Sequence, residues 1–338
     1  MEKEKIMLNV GIIGCGRIAT VRHIPECYEN PQVRLAGFYN RTKEKAIQLA
    51  EQYGGKVYNT IEECINDSCV DAVIISTPNV MHASVTIRAL YAGKHVICEK
   101  PMATTEEECK KMVEAAKINH RVLLVAYQER YTQTHKLARK LIEDGMIGKV
   151  LSFQATFAHA GPEKKRPAEN LWFYDKSQAG LGASGDLGVH KIDTIRYLLN
   201  DEVQEVTAKV NTPDSNANGI FQNLIDNNAV YILKMQNGTI GTVTASWTCY
   251  GEEINSTILF GSEGTMYISH PLSGKVELAM KNGERKIINV EEIYRANGWA
   301  DSGIVREILR LIQQNEEQTG ADALKTMQAV LKATLSSL

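Results

Sequence analysis

Asp186, His190 and Asp193 are spaced four and three residues apart, and the pattern from 187 to 199, directly after Asp186, predicts a helix. Side chains at this spacing share one helix face. A histidine exchanges a proton near neutral pH, and a carboxylate one turn away can fix its tautomer, so the group suits acid–base catalysis. Two alternatives stay open: Asp186 caps the helix while His190 packs in the core, or the three side chains bind a divalent ion. We predict no metal site.

Lys100 follows an apolar run, 94–98, that predicts a short buried strand, and Pro101 follows the lysine. Parallel sheets bind ligands at the carboxyl ends of their strands, which is where Lys100 would lie. A partly desolvated lysine close to another positive charge, such as that of a bound cofactor ring, has a lowered pKa, which suits it to proton transfer. The alternative is an ordinary surface lysine on a loop.

A glycine pattern, Gly14-x-Gly16-x-x-Ala19, comes directly after a β-branched run and opens a helical stretch. The first glycine permits a tight turn, the second lets a diphosphate approach the backbone, and the small third residue allows close helix–strand packing. We interpret the pattern as a dinucleotide-binding turn, with Arg17 and Ile18 beside the phosphates. The alternative is a strand–helix turn that happens to contain small residues.

Asn40 and Arg41 stand at the end of the second predicted strand, where enzymes that bind NAD usually carry an acidic residue for the ribose hydroxyl. No carboxylate is present here to repel a 2′-phosphate, and Arg41 is able to pair with one. The cofactor is therefore predicted to be NAD(P), with a slight preference for NADP. Asn40 is also able to bind a free hydroxyl, so NAD stays open.

The elements that position these residues fall into two patterns. From residue 8 to 126, short apolar runs alternate with helical stretches, which predicts a doubly wound parallel sheet of the Rossmann type. One of those helices is predicted to begin at Thr104, with Glu107 completing a capping box. From 203 to 290, strand patterns separated by turn signals such as Asn237-Gly238 predict a mainly antiparallel sheet. The fold class is thus α/β, with domains at 1–126 and 127–338 and with C-terminal helices, 302–338, that pack back toward the first domain.

Bulk composition is that of an ordinary soluble globular protein. The net charge of −2 gives no basic excess for nucleic acid. No apolar run reaches the roughly 18 residues that cross a bilayer. Seven cysteines without a CxxC pair favour reduced thiols and a cytoplasmic location. We expect no nucleic-acid or membrane partner.

Several motifs, in their order along the chain, closely resemble those of the Gfo/Idh/MocA oxidoreductases, the family of glucose–fructose oxidoreductase and myo-inositol dehydrogenase. The resemblance spans nearly the whole chain. Leu181, where members often carry glycine, and Asn40, in place of an acidic residue, depart from the pattern. The motifs are Gly14-Cys15-Gly16, the segments 76–82, 93–101 and 180–193, and Gly261-Ser262-Glu263-Gly264.

The resemblance implies a second domain with a large open-faced sheet that lines the substrate site and often forms the subunit interface, hence a homodimer or homotetramer. It implies sugar, inositol or polyol substrates and a cis Lys100–Pro101 bond. It also implies that His190 accepts a proton, Lys100 orients the hydroxyl and Asp186 supports the substrate, although the first two roles are interchangeable. The residues expected along the cofactor include Ser76, Thr77, Pro78, Asn79, His82, Glu99 and Gln128.

Softer substrate candidates lie near the predicted pocket. Arg130 follows a sheet strand together with Tyr127, and Asp193 belongs to the predicted helix face. His159, Arg166, Trp172 and Tyr174 lie on or beside the long loop 161–184, where aromatic and polar groups suit a sugar. For each of these four, a packing or surface role stays open.

The predicted function is an NAD(P)-dependent dehydrogenase or reductase acting on CH–OH groups. Two alternatives remain. Some relatives resemble glycosidases that hold NAD tightly and oxidise the sugar only transiently. A non-catalytic dinucleotide-binding regulator is the other, but it predicts a damaged set of catalytic residues, whereas Lys100, Asp186 and His190 are all present.

Overall fold

The computed structural model describes residues 7–162, 172–211 and 225–335. The chain divides into two units, one formed by Met1–Ala126 and Tyr294–Leu324 and the other by Tyr127–Ile293 and Lys325–Leu338. The segment 294–324 thus lies in the first unit, although the sequence boundary assigns it to the second. One physical reason is that the chain pairs at Thr319 in parallel with Leu123, a buried residue of the first sheet.

The first unit is built on a six-stranded parallel sheet. All four residues of its central run Ala72–Ile75 are buried, as expected where helices cover both faces. The strands are β1 (Leu8–Ile13), β2 (Val33–Tyr39), β3 (Lys56–Val57), β4 (Ala72–Ile75), β5 (His95–Cys98) and β6 (Leu123–Val125). Their order is β3-β2-β1-β4-β5-β6, so the winding reverses between β1 and β4, the place where such sheets bind dinucleotides.

Helices of this unit connect the strands. The first is preceded by a π-helical turn, Ala19–His23, and π-turns often accompany functional sites. The helices are α1 (Ile24–Tyr28), α2 (Lys43–Tyr53), α3 (Ile61–Asn66), α4 (His82–Tyr91) and α5 (Glu106–Ile118). The capping box of α5 uses Thr105 and Glu108, so the prediction from Thr104 and Glu107 was wrong by one residue. Thr104 instead adds a hydroxyl bond to the Glu108 carboxylate.

The second unit is built on an eight-stranded sheet in which only β7 and β10 pair in parallel. Its strands are β7 (Val150–Ala158), β8 (Val203–Asn211), β9 (Asn228–Met235), β10 (Ile240–Ser246), β11 (Ile254–Gly261), β12 (Gly264–Ile268), β13 (Lys275–Met280) and β14 (Arg285–Asn289). The order is β14-β13-β12-β11-β7-β10-β9-β8. The mainly antiparallel second sheet is therefore confirmed.

Burial alternates along this sheet. In β9, Tyr231 and Leu233 are buried while Val230 and Ile232 are exposed. The register carries the exposed face across to Ile240 in β10 and to Tyr267 in β12. One face thus belongs to the core, and the other presents apolar side chains on the surface.

Helices α6 (Gln133–Glu143), α7 (Lys176–Ala179) and α8 (Val189–Leu199) belong to the second unit. A π-helical turn, Ser184–Gly188, precedes α8, which packs on β7. The wider turn changes the helical phase at Asp186. The simple α-helical spacing assumed from the sequence is therefore wrong at this point.

The C-terminal part of the chain adds α9 (Ile304–Gln314) and α10 (Ala321–Leu335). Within the described ranges, none of the helices combines the length and the apolar character that a membrane span requires.

Candidate active site

The turn after β1 forms a cradle in the first unit. Gly14 has φ +96°, and a methyl group added there would lie 2.6 Å from the carbonyl oxygen of Ser76, so only glycine fits. A methyl group at Gly16 would meet nothing within 4 Å, which leaves its backbone accessible to a ligand. The hydroxyls of Ser76 and Thr77, at the end of β4, are buried and find no partner among the described residues. Buried orphan hydroxyls beside an open glycine turn fit a bound dinucleotide.

Arg17 and Ile18 begin the helix after this turn. The Arg17 guanidinium lies 5.1 Å from the ring centre of Trp299, and Arg22 lies 6.0 Å from it. Trp299 belongs to a short hairpin in which Tyr294 pairs with Ala300. The hairpin therefore gives Arg17 a cation–π partner beside the cradle.

That hairpin is tied to the first helix by polar contacts. Asn297 donates its amide to the carbonyl of Val21, and Arg295 pairs with Glu29 at 2.6 Å. Buried Glu26 accepts both the amide and the hydroxyl of Ser302, each at 2.7 Å. The position of Trp299 is thus fixed by its neighbours on both sides.

The end of β2 is locked to the glycine turn. The Asn40 side chain accepts the Cys15 amide at 2.9 Å and donates to the Thr42 carbonyl at 2.9 Å. Asn40 therefore has a structural role in addition to the cofactor contact expected from the sequence. Arg41 is exposed beside it, at the beginning of α2.

The loop after β4 is held by His82, which is buried. Its Nδ1 lies 2.7 Å from the Pro101 carbonyl and its Nε2 lies 3.0 Å from the Thr77 carbonyl. Burial lowers the pKa of His82 although both carbonyls favour its protonated form. His82 thus ties two loops together, and its expected contact with the cofactor stays a prediction. Pro78 precedes the short 3-10 turn Asn79–Met81, in which Asn79 is buried.

Glu99 and Lys100 follow β5, and the Lys100–Pro101 bond is cis, as the resemblance implied. Glu99 accepts a 2.7 Å hydrogen bond from Nε2 of His23, which is fully buried on the π-helical turn. Burial by itself would raise the pKa of Glu99, but the hydrogen bond from His23 and the positive charges of His23, Lys100 and Arg22 lower it to about 2. Glu99 is therefore an ionised anchor close to Lys100.

The second unit holds Asp186 within its π-helical turn. The indole Nε1 of Trp247 donates to Asp186 Oδ2 at 3.2 Å, and His159 Nε2 lies 3.8 Å from the same oxygen. Asp226 caps this turn by accepting the amides of Gly182 and Ser184, each at 2.7 Å. Burial raises the pKa of Asp226, although these bonds oppose the rise. The Asp186 carboxylate thus sits on a firmly held backbone.

His190 is buried at the beginning of α8. Its ring packs against Phe157 at 6.0 Å and edge-on against Tyr127 at 6.5 Å. Phe157 also contacts His159 at 6.1 Å, so His190 and one partner of Asp186 belong to the same aromatic cluster. Trp247, the other partner, packs with Phe173 and Tyr174 of the 3-10 turn Trp172–Tyr174 in a second aromatic group.

Asp193 does not join this group. Arg130 binds both of its oxygens, at 2.6 and 2.5 Å, and Thr326 donates to it as well. The Asp193 side chain is 1% exposed. This charge-assisted pair holds α8, and the substrate contact expected of Arg130 and Asp193 stays a prediction.

A second buried ion pair lies next to His190. Lys191 donates to Glu129 at 3.2 Å, and Thr194 and Asn255 also bond to that carboxylate. Burial would raise the pKa of Glu129, but the charges of Lys191, His190 and His135 hold it well below its usual range. Gln128 begins the 3-10 turn that carries Glu129.

Two further predictions concern Arg166 and a metal site. Arg166 lies outside the described residues. In the ranges that the structure describes, no group of His, Cys, Asp and Glu side chains is arranged to hold a metal ion.

Sequence reasoning missed four important side chains. Nothing in the local pattern around His23 indicates its bond to Glu99. Trp247, Trp299 and Asp226 come from strands, hairpins and loops far along the chain. The one available signal concerns Trp247, because a buried indole N–H needs a hydrogen-bond partner.

Comparisons with known proteins agree with this geometry. Residues 8–127 match a family model described as the oxidoreductase family with an NAD-binding Rossmann fold, and residues 135–267 match the GFO/IDH/MocA C-terminal domain. The chain is 34% identical to levoglucosan dehydrogenase of Pseudarthrobacter phenanthrenivorans over 71% of its own length and 66% of the relative's. It is 30% identical to 1,5-anhydro-D-fructose reductase of Ensifer adhaerens, covering 75% and 74%.

A solved structure is similar over nearly the whole chain. Levoglucosan dehydrogenase in complex with NADH and levoglucosan superposes with a TM-score of 0.85 at 26% identity, covering 98% of this chain and 97% of that one.

Proposed function

The chain belongs to the Gfo/Idh/MocA oxidoreductase family, and on that premise we propose that it transfers a hydride between NAD(P) and a hydroxyl-bearing carbon of a sugar, an inositol or a related polyol. It is an oxidoreductase with an NAD-binding Rossmann domain. Its relatives named above act, by their names, on sugar-derived compounds.

The observation that carries the proposal is the cradle at Gly14 and Gly16. An open glycine turn beside the buried, unpartnered hydroxyls of Ser76 and Thr77 suits a dinucleotide diphosphate. Gly14, Gly16, Arg17, Ser76 and Thr77 would hold the cofactor. The nicotinamide, when bound, supplies the hydride chemistry, so the chain must supply orientation and proton transfer.

Proton transfer is assigned to three residues. His190 is the proton acceptor, Lys100 orients and polarises the hydroxyl, and Asp186 contacts or supports the substrate. An imidazole and an ammonium group suit these roles because they exchange or share protons near neutral pH. Glu99, which precedes Lys100 in the chain, is held ionised by His23, Lys100 and Arg22.

NADP is the favoured cofactor. Asn40 is already engaged with Cys15 and Thr42, whereas Arg41 is exposed next to it. A guanidinium binds a phosphate with charge-assisted, bidentate geometry, and no carboxylate at the end of β2 opposes it.

A second copy of this chain is the partner proposed for the second unit. The open face of its sheet exposes Ile232 by 59%, Ile240 by 55% and Tyr267 by 38%. Side chains of this kind on one sheet face favour burial in a symmetric interface.

The proposal is tested with Lys100→Met and His190→Ala, each assayed with NAD⁺ and NADP⁺ against a panel of sugars and inositols. Both variants should keep dinucleotide binding and lose turnover by about 100-fold or more, because each lacks a positioned proton donor or acceptor. Lys110→Met, on an exposed turn of α5, is the matched control and should match the wild type. Unchanged turnover in either variant contradicts the role of that residue.

A further inference from the structure

Trp247 donates one hydrogen bond, from its indole N–H, to the Asp186 carboxylate. It follows β10, is 2% exposed, and its backbone amide donates to the Asn227 carbonyl at 2.8 Å. Tyr174 packs edge-on against its ring at 5.3 Å. Because backbone and ring are both fixed, the indole N–H reaches Asp186 Oδ2 in one direction only.

His159 approaches the same oxygen from β7. Its backbone amide donates to the Ser246 carbonyl at 3.0 Å, and its Nδ1 accepts the Gly161 amide at 3.0 Å. A neutral histidine whose Nδ1 accepts must carry its proton on Nε2. That nitrogen lies 3.8 Å from Asp186 Oδ2, so two N–H groups face one carboxylate oxygen.

The backbone of Asp186 is fixed independently of these contacts. Asp226 binds the amides of Gly182 and Ser184 at the start of the π-helical turn. A carboxylate whose backbone and one oxygen are both held meets its ligand in one orientation, as a preorganised site requires.

We propose that Trp247 and His159 are positioning residues that fix the Asp186 carboxylate for one hydroxyl of a ring-shaped polyol. The inference rests on the proposed function and extends it to the residues that set substrate orientation. Neither residue transfers a proton to the substrate. Each acts through Asp186.

The first test is a double-mutant cycle. Trp247→Phe removes the indole N–H and keeps an aromatic ring, and Asp186→Ala removes its acceptor. Assays use whichever of levoglucosan, D-glucose and myo-inositol the wild type oxidises fastest. Trp247→Phe should lower kcat/KM by about 10- to 100-fold, because that is the factor expected from the free energy of one lost hydrogen bond to a charged group. In the Asp186→Ala background the same change should have no further effect.

An equal loss in both backgrounds overturns the proposal, because it means that Trp247 acts by packing alone. No loss in the wild-type background overturns it as well. Tyr28→Phe, on the surface of the first unit, is the matched aromatic control and should retain full activity. If the wild type oxidises neither these three compounds nor any other member of the sugar and inositol panel with either cofactor, the proposed function fails, and this inference fails with it. If the wild type is active but the effects of the two substitutions are additive, only this inference fails and the proposed function stands.

The second test separates the two nitrogens of His159. Asparagine places an amide oxygen near the position of Nδ1, so His159→Asn keeps an acceptor for Gly161 but loses the donor toward Asp186. Glutamine reaches further, so His159→Gln keeps a donor near Nε2 and loses that acceptor. His159→Gln should retain a higher kcat/KM than His159→Asn. In both variants the decrease in kcat/KM should come more from a raised KM than from a lowered kcat. The opposite order contradicts the role, because the Gly161 bond would then carry the effect.

Discussion

Glu99 provides a test in which the magnitude follows from the structure. The carboxylate is 8% exposed, bonds to His23 and has a pKa of about 2 instead of its ordinary 4.5. Each pKa unit corresponds to about 1.4 kcal/mol. Its ionisation therefore stabilises the folded chain by about 3 kcal/mol at pH 7. Because the folded pKa is the lower one, this stability is present above pH 4.5 and is lost as the pH falls toward 2.

Glu99→Gln removes the charge and keeps the shape of the side chain. We expect its free energy of unfolding to be about 3 kcal/mol lower than that of the wild type at pH 7. The difference should narrow to about 1.4 kcal/mol at pH 3, because there the unfolded chain binds a proton at Glu99 while the folded chain keeps the carboxylate mostly ionised. Urea unfolding followed by circular dichroism, at several pH values and without cofactor, measures both quantities.

Glu107→Gln is the matched control for this experiment. Glu107 pairs with Lys111 on the exposed side of α5, so solvent screens its charge. Its unfolding curve should follow the wild type at every pH. A Glu99→Gln loss below 1 kcal/mol at pH 7, or a difference that does not narrow with acid, would refute the reasoning about the buried pair with His23.

Three further outcomes are expected. Arg41→Ala should weaken NADPH binding about tenfold or more, through loss of a charge-assisted phosphate bond, and leave NADH binding unchanged; calorimetry that finds both unchanged contradicts the NADP preference. Trp299→Ala should weaken dinucleotide binding about fivefold, because Arg17 loses a cation–π partner worth about 1 kcal/mol. Trp299→Phe keeps an aromatic ring and should retain most of the affinity. Equal Kd values in the wild type and both variants would exclude this role. Ile232→Lys should shift sedimentation toward smaller species, and an unchanged profile argues against pairing through the open sheet face.

The sequence predicts the first unit well because its signals are local. Gly14 and Gly16 come directly after a strand, and short apolar runs of the kind seen in β4 are typical of strands buried on both faces. The one-residue error at Thr105 arose because two adjacent threonines and three glutamates allow either register. The backbone conformation at Thr105 decides between them.

The sequence predicts the second unit less completely because its key contacts join distant segments. Trp247 lies 61 residues from Asp186, and no local pattern pairs them. The π-helical turn at Ser184–Gly188 also changes the phase of a helix that reads as regular in the sequence. Asp193 pairs with Arg130, 63 residues away, and spacing along α8 gives no sign of that contact.

The central claim is net hydride transfer between a nicotinamide and a polyol. The most direct measurement follows the near-ultraviolet absorbance of reduced nicotinamide when the chain is mixed with NAD⁺ or NADP⁺ and a panel of sugars and inositols. The account predicts reduced cofactor in equal amount to a ketone or lactone product, and loss of that signal in Lys100→Met and His190→Ala. Cleavage of a glycoside without net reduction of added cofactor would contradict it.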